Sequence, residues 1–237
     1  MDFSVKIKPF LFLSLTFILF TAIGTISHEY GHIVIAESLG YDTTLHYGSM
    51  NYSNSELSKK LSKIYSDNKT AIENGNDFAQ KAEYEKRFEK LESDGFLITI
   101  GGPLQTILTG TIGLVLIFLR RNKINKRGLN LIDWLAIFLS LFWLREVFNL
   151  TMSVSSELIA PAGSFFGGDE KNISLILNLW PGTVSVVLGI IGLLISSFIV
   201  FEIIPKKLRF TFILSGLLGG TCGFILWMNI LGPGLLP

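Results

Sequence analysis

Apolar stretches long enough to cross a membrane alternate with short polar links along this chain. They run Pro9–Leu39, Gly95–Leu119, Leu129–Val154, Gly182–Ile204 and Leu208–Leu231. About 20 helical residues cross a hydrocarbon core, so each stretch predicts a transmembrane helix. A shorter apolar piece, Ile173–Trp180, cannot span alone and predicts a re-entrant or interfacial helix. The one sizeable hydrophilic part, Tyr41–Asp94, opens with a loosely alternating run from Tyr41 to Tyr52. Its β-branched and aromatic residues suit a short strand or hairpin. Ser53 and Glu56 then form a capping-box pattern, opening a helix with Leu57, Leu61 and Ile64 on one face. Asn74-Gly75-Asn76 breaks that helix, and a second charged helix is expected from about Asp77 to Glu92.

The expected fold class is therefore an all-α polytopic membrane protein. It has about five transmembrane helices plus a short re-entrant helix, a short β-strand or hairpin and a small helical extramembrane insertion. Four regions follow: residues 1–40, 41–94, 95–180 and 181–237. They hold the first transmembrane helix, the extramembrane strand with its helical hairpin, the core helices, and two C-terminal helices.

Composition agrees with this class, since only 16% of residues are charged and the mean hydropathy is +0.49. The net charge of +1 carries no sign of a nucleic-acid partner. Cys222 is the only cysteine, so an intramolecular disulfide is excluded. Basic residues cluster before the first stretch (Lys6, Lys8), after the second (Arg120, Arg121, Lys123, Lys126, Arg127) and before the last (Lys206, Lys207, Arg209). With five spans these clusters share one side, which the positive-inside rule makes cytoplasmic, together with the N-terminus. Lys6 and Lys8 ahead of an apolar run also resemble the start of a signal peptide. The run is long for one and leads into the motif described next, so a retained signal anchor is expected.

The first stretch begins with nineteen uncharged residues, Pro9 to Ser27, and runs into His28-Glu29-Tyr30-Gly31-His32. On a helix, His28 and His32 lie one turn apart on the same face. Two imidazoles so placed can grip one Zn2+, and Glu29 can reach a water at the open position. Two of the chain's three histidines make this motif; the third, His46, is expected to be structural. A third ligand is needed. Asp169, in a Gly167-Gly168-Asp169 turn on the same predicted side, is the candidate, with Glu170 and Glu157 in reserve. Capping of the following helix is the competing role for Asp169. Arg145 is expected to pair with an acid, Glu146 or Glu37, and Asn149 to face the bundle interior. Gly216, Gly219, Gly220 and Gly223 give small-xxx-small spacing, which favours close packing within the chain or in a homodimer.

His28-Glu-Tyr-Gly-His32, followed by Ala36 and the Leu39-Gly40-Tyr41 step into an extended segment, resembles the first core helix of the site-2 protease family of intramembrane zinc metalloproteases. Ile98-Thr-Ile-Gly-Gly-Pro-Leu-Gln-Thr106 resembles that family's Gly-Pro-x-x-Asn segment, with Thr106 in place of the Asn. Gly167-Gly-Asp169 resembles its Asp-Gly ligand segment. The resemblance implies a minimal member without PDZ or CBS domains, with Zn2+ held by His28, His32 and Asp169 and with Glu29 as general base. It further implies Asn149 on the substrate backbone or oxyanion, and substrate contacts at Gln105 and Thr106. An extended edge near Leu45 and Tyr47 could take an unwound substrate strand by β-augmentation. The expected partners are the lipid bilayer and a membrane-protein or signal-peptide-like substrate. Three other readings stay open: a non-proteolytic protein of the same fold that binds membrane proteins, a metal-binding transporter, and a prenyl-protein-processing type of protease. The last would use Glu157 or Glu170 as third ligand.

Overall fold

The computed structural model describes residues 3–159 and 166–236. Helix α1 (Ile7–Ser38) leads into a hairpin of β1 (Asp42–Leu45) and β2 (Met50–Ser53), paired antiparallel with Asp42 opposite Ser53 and Leu45 opposite Met50. Then follow α2 (Ser55–Glu73), α3 (Lys81–Arg127), α4 (Leu131–Ser140), a 3-10 turn (Leu141–Trp143), α5 (Leu144–Ile159) and α6 (Gly168–Ile176). The chain closes with α7 (Thr183–Phe198), α8 (Arg209–Leu226) and the four-residue α9 (Gly232–Leu235). Helices α7 and α8 each end in a π-helical turn, at Ile199–Ile203 and Trp227–Leu231. The fold is mostly helical, and among the described residues four helical runs are long and apolar enough to cross a membrane: Ile7–Ser38, Lys81–Arg127, Thr183–Ile203 and Arg209–Leu235.

Several elements depart from the sequence expectations. The charged helix and the second apolar stretch are one 47-residue helix, α3, because neither Gly95 nor Gly101-Gly102-Pro103 interrupts it. The third stretch is broken at Leu141–Trp143 into two helices, and α5 continues beyond Val154 to Ile159. The expected 173–180 helix starts earlier, at Gly168, so Asp169 sits in its first turn. The N-cap of α2 is Asn54, whose side chain accepts from the Leu57 N–H at 3.0 Å, rather than Ser53. Asn54 reaches the third amide of the first turn, so it displaces Ser53 from the cap. Between Val154 and Ile173, where the sequence predicts no helix, α5 and α6 extend inward from both sides, and positions 160–165 lie outside the described residues.

Helix α1 packs along both α8 and α3. Added side chains at Gly219 and Gly223 would strike the backbone of Ser14 and Ile18, and one at Gly216 would touch the Phe17 ring. Three of the four glycines therefore seat α8 on α1 within the chain. Only Gly220 faces open space, which removes the glycine stripe as support for a homodimer. For helices this apolar, association rests on such close packing.

The core is split between two ends of the bundle. Leu13, Phe17, Ile117, Ile137, Phe138, Ile199 and Phe212 form one cluster, joining the start of α1 to the end of α3, the start of α4, the end of α7 and the start of α8. The Lys6 N–H donates to Thr211 Oγ1 at the same end, and Arg120 pairs with the buried Asp133 there at 2.5 Å. All three basic clusters thus share one end. At the opposite end Ala36, Tyr41, Leu57 and Ile98 form a second cluster under the hairpin and α2. The Tyr41 hydroxyl donates to Asp94 Oδ2 at 2.9 Å, and Lys90 donates to the same oxygen at 2.8 Å.

Candidate metal centre

His28 and His32 lie one turn apart on α1, both buried, with ring centroids 5.0 Å apart. Asp169 is brought to them by α6. Gly168 takes φ +71°, the left-handed region where glycine carries no Cβ penalty, and the turn aims the next side chain at the imidazoles. Asp169 Oδ2 lies 3.0 Å from His28 Nε2 and 3.2 Å from His32 Nε2. The ligand atoms of all three residues lie within 4.8 Å of one another, so the group could hold a metal ion.

The far side of each ring is also fixed. His28 Nδ1 lies 2.9 Å from Thr106 Oγ1, and His32 Nδ1 donates to the Ile98 carbonyl at 2.7 Å. Partners of this kind orient a ligating imidazole and select its tautomer. Pro103 contributes locally, because it has no N–H to give the Thr99 carbonyl, one turn back along α3. The loosened turn is where the Ile98 carbonyl meets His32. The Gly102 N–H makes a longer contact, 3.3 Å, to His32 Nδ1.

This arrangement fits a cation. A neutral imidazole has one N–H, yet His32 faces the Ile98 carbonyl at Nδ1 and the Asp169 carboxylate at Nε2, and both accept only. A cation between Nε2 and Oδ2 would let the ring keep its one N–H at Nδ1, facing the Ile98 carbonyl. Glycine at 102 leaves the room for one: a Cβ there would overlap Nε2 of both histidines. A second close approach, Gly31 against the Gly101 backbone, brings α1 and α3 near enough for these contacts.

The remaining expected site residues fall in several places. Glu29 is buried on α1 next to His28, and no hydrogen bond among the described residues holds its carboxylate. Glu170 turns away from the imidazoles and accepts from Asn149 Nδ2 at 2.9 Å; the Glu157 side chain lies outside the described residues. Asn149 is thus engaged with Glu170 rather than left open to a substrate. Thr106 is almost fully buried on His28 instead of lining a substrate path. Gln105 lines an apolar groove of about 660 Å³ between α1 and α3, with Ser27, Tyr30, Gly31, Leu104 and Thr109. Its Nε2 donates to Thr109, and its carbonyl oxygen has no partner among the described residues.

Leu45 pairs with Met50 inside the hairpin. Tyr47 is held by the C-terminal segment: its N–H donates to the Leu236 carbonyl at 3.0 Å, and its own carbonyl accepts from Trp227 Nε1 at 2.7 Å. The hairpin tip is therefore occupied by this chain's own C-terminal residues, the Leu236 backbone and the Trp227 side chain. Arg145 forms no ion pair among the described residues, in contrast to the expected pairing, and Glu37 instead accepts from Thr43. His46 accepts from or donates to Asn51 within the hairpin, 3.0 Å away, apart from the metal group. Sequence reasoning missed Gly102 and the support that Thr106 and Ile98 give the rings. Adjacent Gly-Gly-Pro inside an apolar helix was the available signal. No family model, curated protein or solved structure matches the chain.

Proposed function

We propose that the protein is an intramembrane zinc metalloprotease that hydrolyses peptide bonds in or near membrane-spanning segments of protein substrates. The observation that carries the reading is the convergence of His28, His32 and Asp169 with Glu29 beside them and a supporting acceptor behind each ring. Zn2+ is the preferred ion because two imidazoles and one carboxylate make a common catalytic donor set for it, leaving a fourth position free. Bound there, it would polarise a carbonyl and ease loss of a proton from water near neutral pH. Glu29 acts as the general base, taking the proton of the attacking water and returning it to the leaving amide nitrogen. Its freedom from structural hydrogen bonds suits a group that must accept and release a proton in each cycle.

In this reading the chain is an integral membrane protein with its N-terminus in the cytoplasm and the α4–α5 segment as a fifth, broken crossing. The clustering of basic residues at the end of the bundle away from the metal group supports that orientation. The apolar groove along α1 and α3 is the approach from lipid to the site. Purified protein should bind one Zn2+ per chain, and His28→Ala/His32→Ala and Asp169→Asn should lose it. Glu29→Gln should keep metal and fold but stop cleavage of a membrane-segment peptide. Cleavage by Glu29→Gln at the wild-type rate, or stoichiometric zinc in the double histidine variant, would refute the assignment.

A further inference from the structure

Half of the chain's 20 lysines and arginines stand in the three basic clusters, at the start of α1, the end of α3 and the start of α8. Packing gathers them into one face. Ile124, among the α3 cations, is buried in the same cluster as Ile203, Ile204 and Phe212, with Leu208 against it. The Lys6 N–H reaches Thr211 Oγ1 on α8 at 3.1 Å. Two of these cations are committed within the chain: Arg120 to Asp133, and Arg209 to the carbonyls of Phe201 and Ile204. Arg121, Lys123, Lys126, Arg127, Lys206 and Lys207 are exposed and form no ion pair or hydrogen bond among the described residues. Asp133 is already taken, so among the described residues Glu202 is the one acid left at this end. The hydrophilic segment is built the other way. There Lys60, Lys69, Lys81, Arg87 and Lys90 each pair with an acid four residues away. The net charge of +1 therefore conceals a polarised molecule, with its uncompensated positive charge on one face.

This face lies where the exposed apolar surface ends. Arg120 and Arg121 directly follow the exposed Leu119, Lys8 precedes the exposed Leu11 and Phe12, and Lys206 comes shortly after the exposed Phe201. Cations at that depth meet the phosphates of a bilayer, whereas a soluble partner would have to reach down among the lipids. On the integral-membrane reading given above, we propose that this face binds anionic phospholipid headgroups and gathers such lipids around the ends of α1, α3 and α8. Each Lys or Arg beside a span favours an anionic lipid by roughly 5-fold. One phosphate can touch one or two of them, which gives a preference of roughly 5- to 25-fold over a zwitterionic lipid at low salt. The attraction acts between solvated charges, so salt screens it. It is independent of the metal group and holds whatever chemistry that group performs.

The test is lipid competition for the purified full chain in a neutral detergent, with bound lipids counted by native mass spectrometry. Phosphatidylglycerol and phosphatidylcholine with identical acyl chains are supplied in equal amounts, at about 20 mM and about 500 mM ammonium acetate. Phosphatidylglycerol should dominate by roughly 5- to 25-fold at low salt and by no more than about 2-fold at high salt. The variant Lys123→Gln/Lys126→Gln/Lys206→Gln/Lys207→Gln should lose most of that preference. Lys59→Gln/Lys63→Gln/Lys69→Gln/Lys86→Gln removes the same charge from the hydrophilic segment and should keep it, with circular dichroism as the fold control for both. Equal retention of the two lipids by the wild type, or equal loss of preference in the two variants, would overturn the proposal while leaving the membrane reading intact, because lipid is still held. Retention of neither lipid would overturn both. Displacement of phosphatidylglycerol by glycerol 3-phosphate at the same concentration would make this a site for free anions, and displacement by a soluble oligoglutamate a site for an acidic protein segment. Either result would overturn the lipid assignment.

Discussion

Gly102→Ala puts the metal site to its most direct test, because it adds one methyl group where the structure leaves room for an ion. The new Cβ would sit 2.5 Å from His28 Nε2 and closer still to His32 Nε2. Ordinary contact begins near 3.4 Å, so the rings must retreat by about 1 Å, whereas metal ligands tolerate only about 0.2 Å. Neither ring can move freely, since Thr106 and Ile98 hold the opposite edges. Loss of metal affinity should therefore reach at least the roughly 100-fold that follows from disturbing a ligand's supporting contacts, or about 2.7 kcal/mol at 1.36 kcal/mol per decade. The metal-free fold should suffer less. Overpacking costs about 1–3 kcal/mol, and Ala is favoured over Gly inside a helix by about 1 kcal/mol, leaving a net loss of about 0–2 kcal/mol. The assay is zinc competition against a chromophoric chelator, beside thermal melting of the metal-free protein in detergent. Gly220→Ala, which meets nothing within 4 Å, is the matched control and should leave both readings unchanged. Zinc affinity in Gly102→Ala within 2-fold of the wild type would refute the proposed ion position.

Thr106→Val removes the partner of His28 Nδ1 while keeping the side-chain shape, so zinc affinity should fall by about 10- to 100-fold; Thr106→Ser should restore most of it. Burial and the Asp94 carboxylate push the Tyr41 phenol up to about 12. A raised folded-state value means that the neutral phenol stabilises the fold below pH 10, and that this contribution is lost between about pH 10 and 12. The wild type minus Tyr41→Phe difference in melting temperature should show that alkaline step, and a flat difference would exclude it. Orientation is read by thiol labelling on a Cys222→Ser background. A cysteine at 123 should react from the cytoplasm and one at 67 from outside, and the reverse pattern would invert the topology.

The metal group was legible in the sequence for a simple reason. A four-residue spacing fixes two side chains on one face of any helix, whatever surrounds it. Asp169 was reachable by a weaker route: glycines that permit a sharp turn, on the side of the bundle that charge had already assigned to the motif. What escaped was decided between elements. Gly101-Gly102-Pro103 is locally a poor helix former, yet α3 runs through it, because those glycines face α1 and contact there outweighs their poor propensity. The break at Leu141–Trp143 was hidden inside the third apolar stretch, because no glycine or proline marks it. The glycines of α8 predicted close packing but could not name the partner. Ser14 and Thr21 on α1 supply the small surface that receives them.

The same division explains why ligand identity was easier to read than ligand support. The three candidate ligands come from α1 and α6, but the groups that orient the rings come from α3, at Ile98 and Thr106, about seventy residues from the histidines. Thr106 stands where the site-2 protease pattern has Asn, and read linearly it inherits that residue's expected contact with substrate. Folding reassigns it, because the Gly31–Gly101 crossing draws α3 against the back of His28 and leaves the position no open surface. What a position does in this site is therefore set by which helix packs behind it, and its place in a linear pattern does not reveal that.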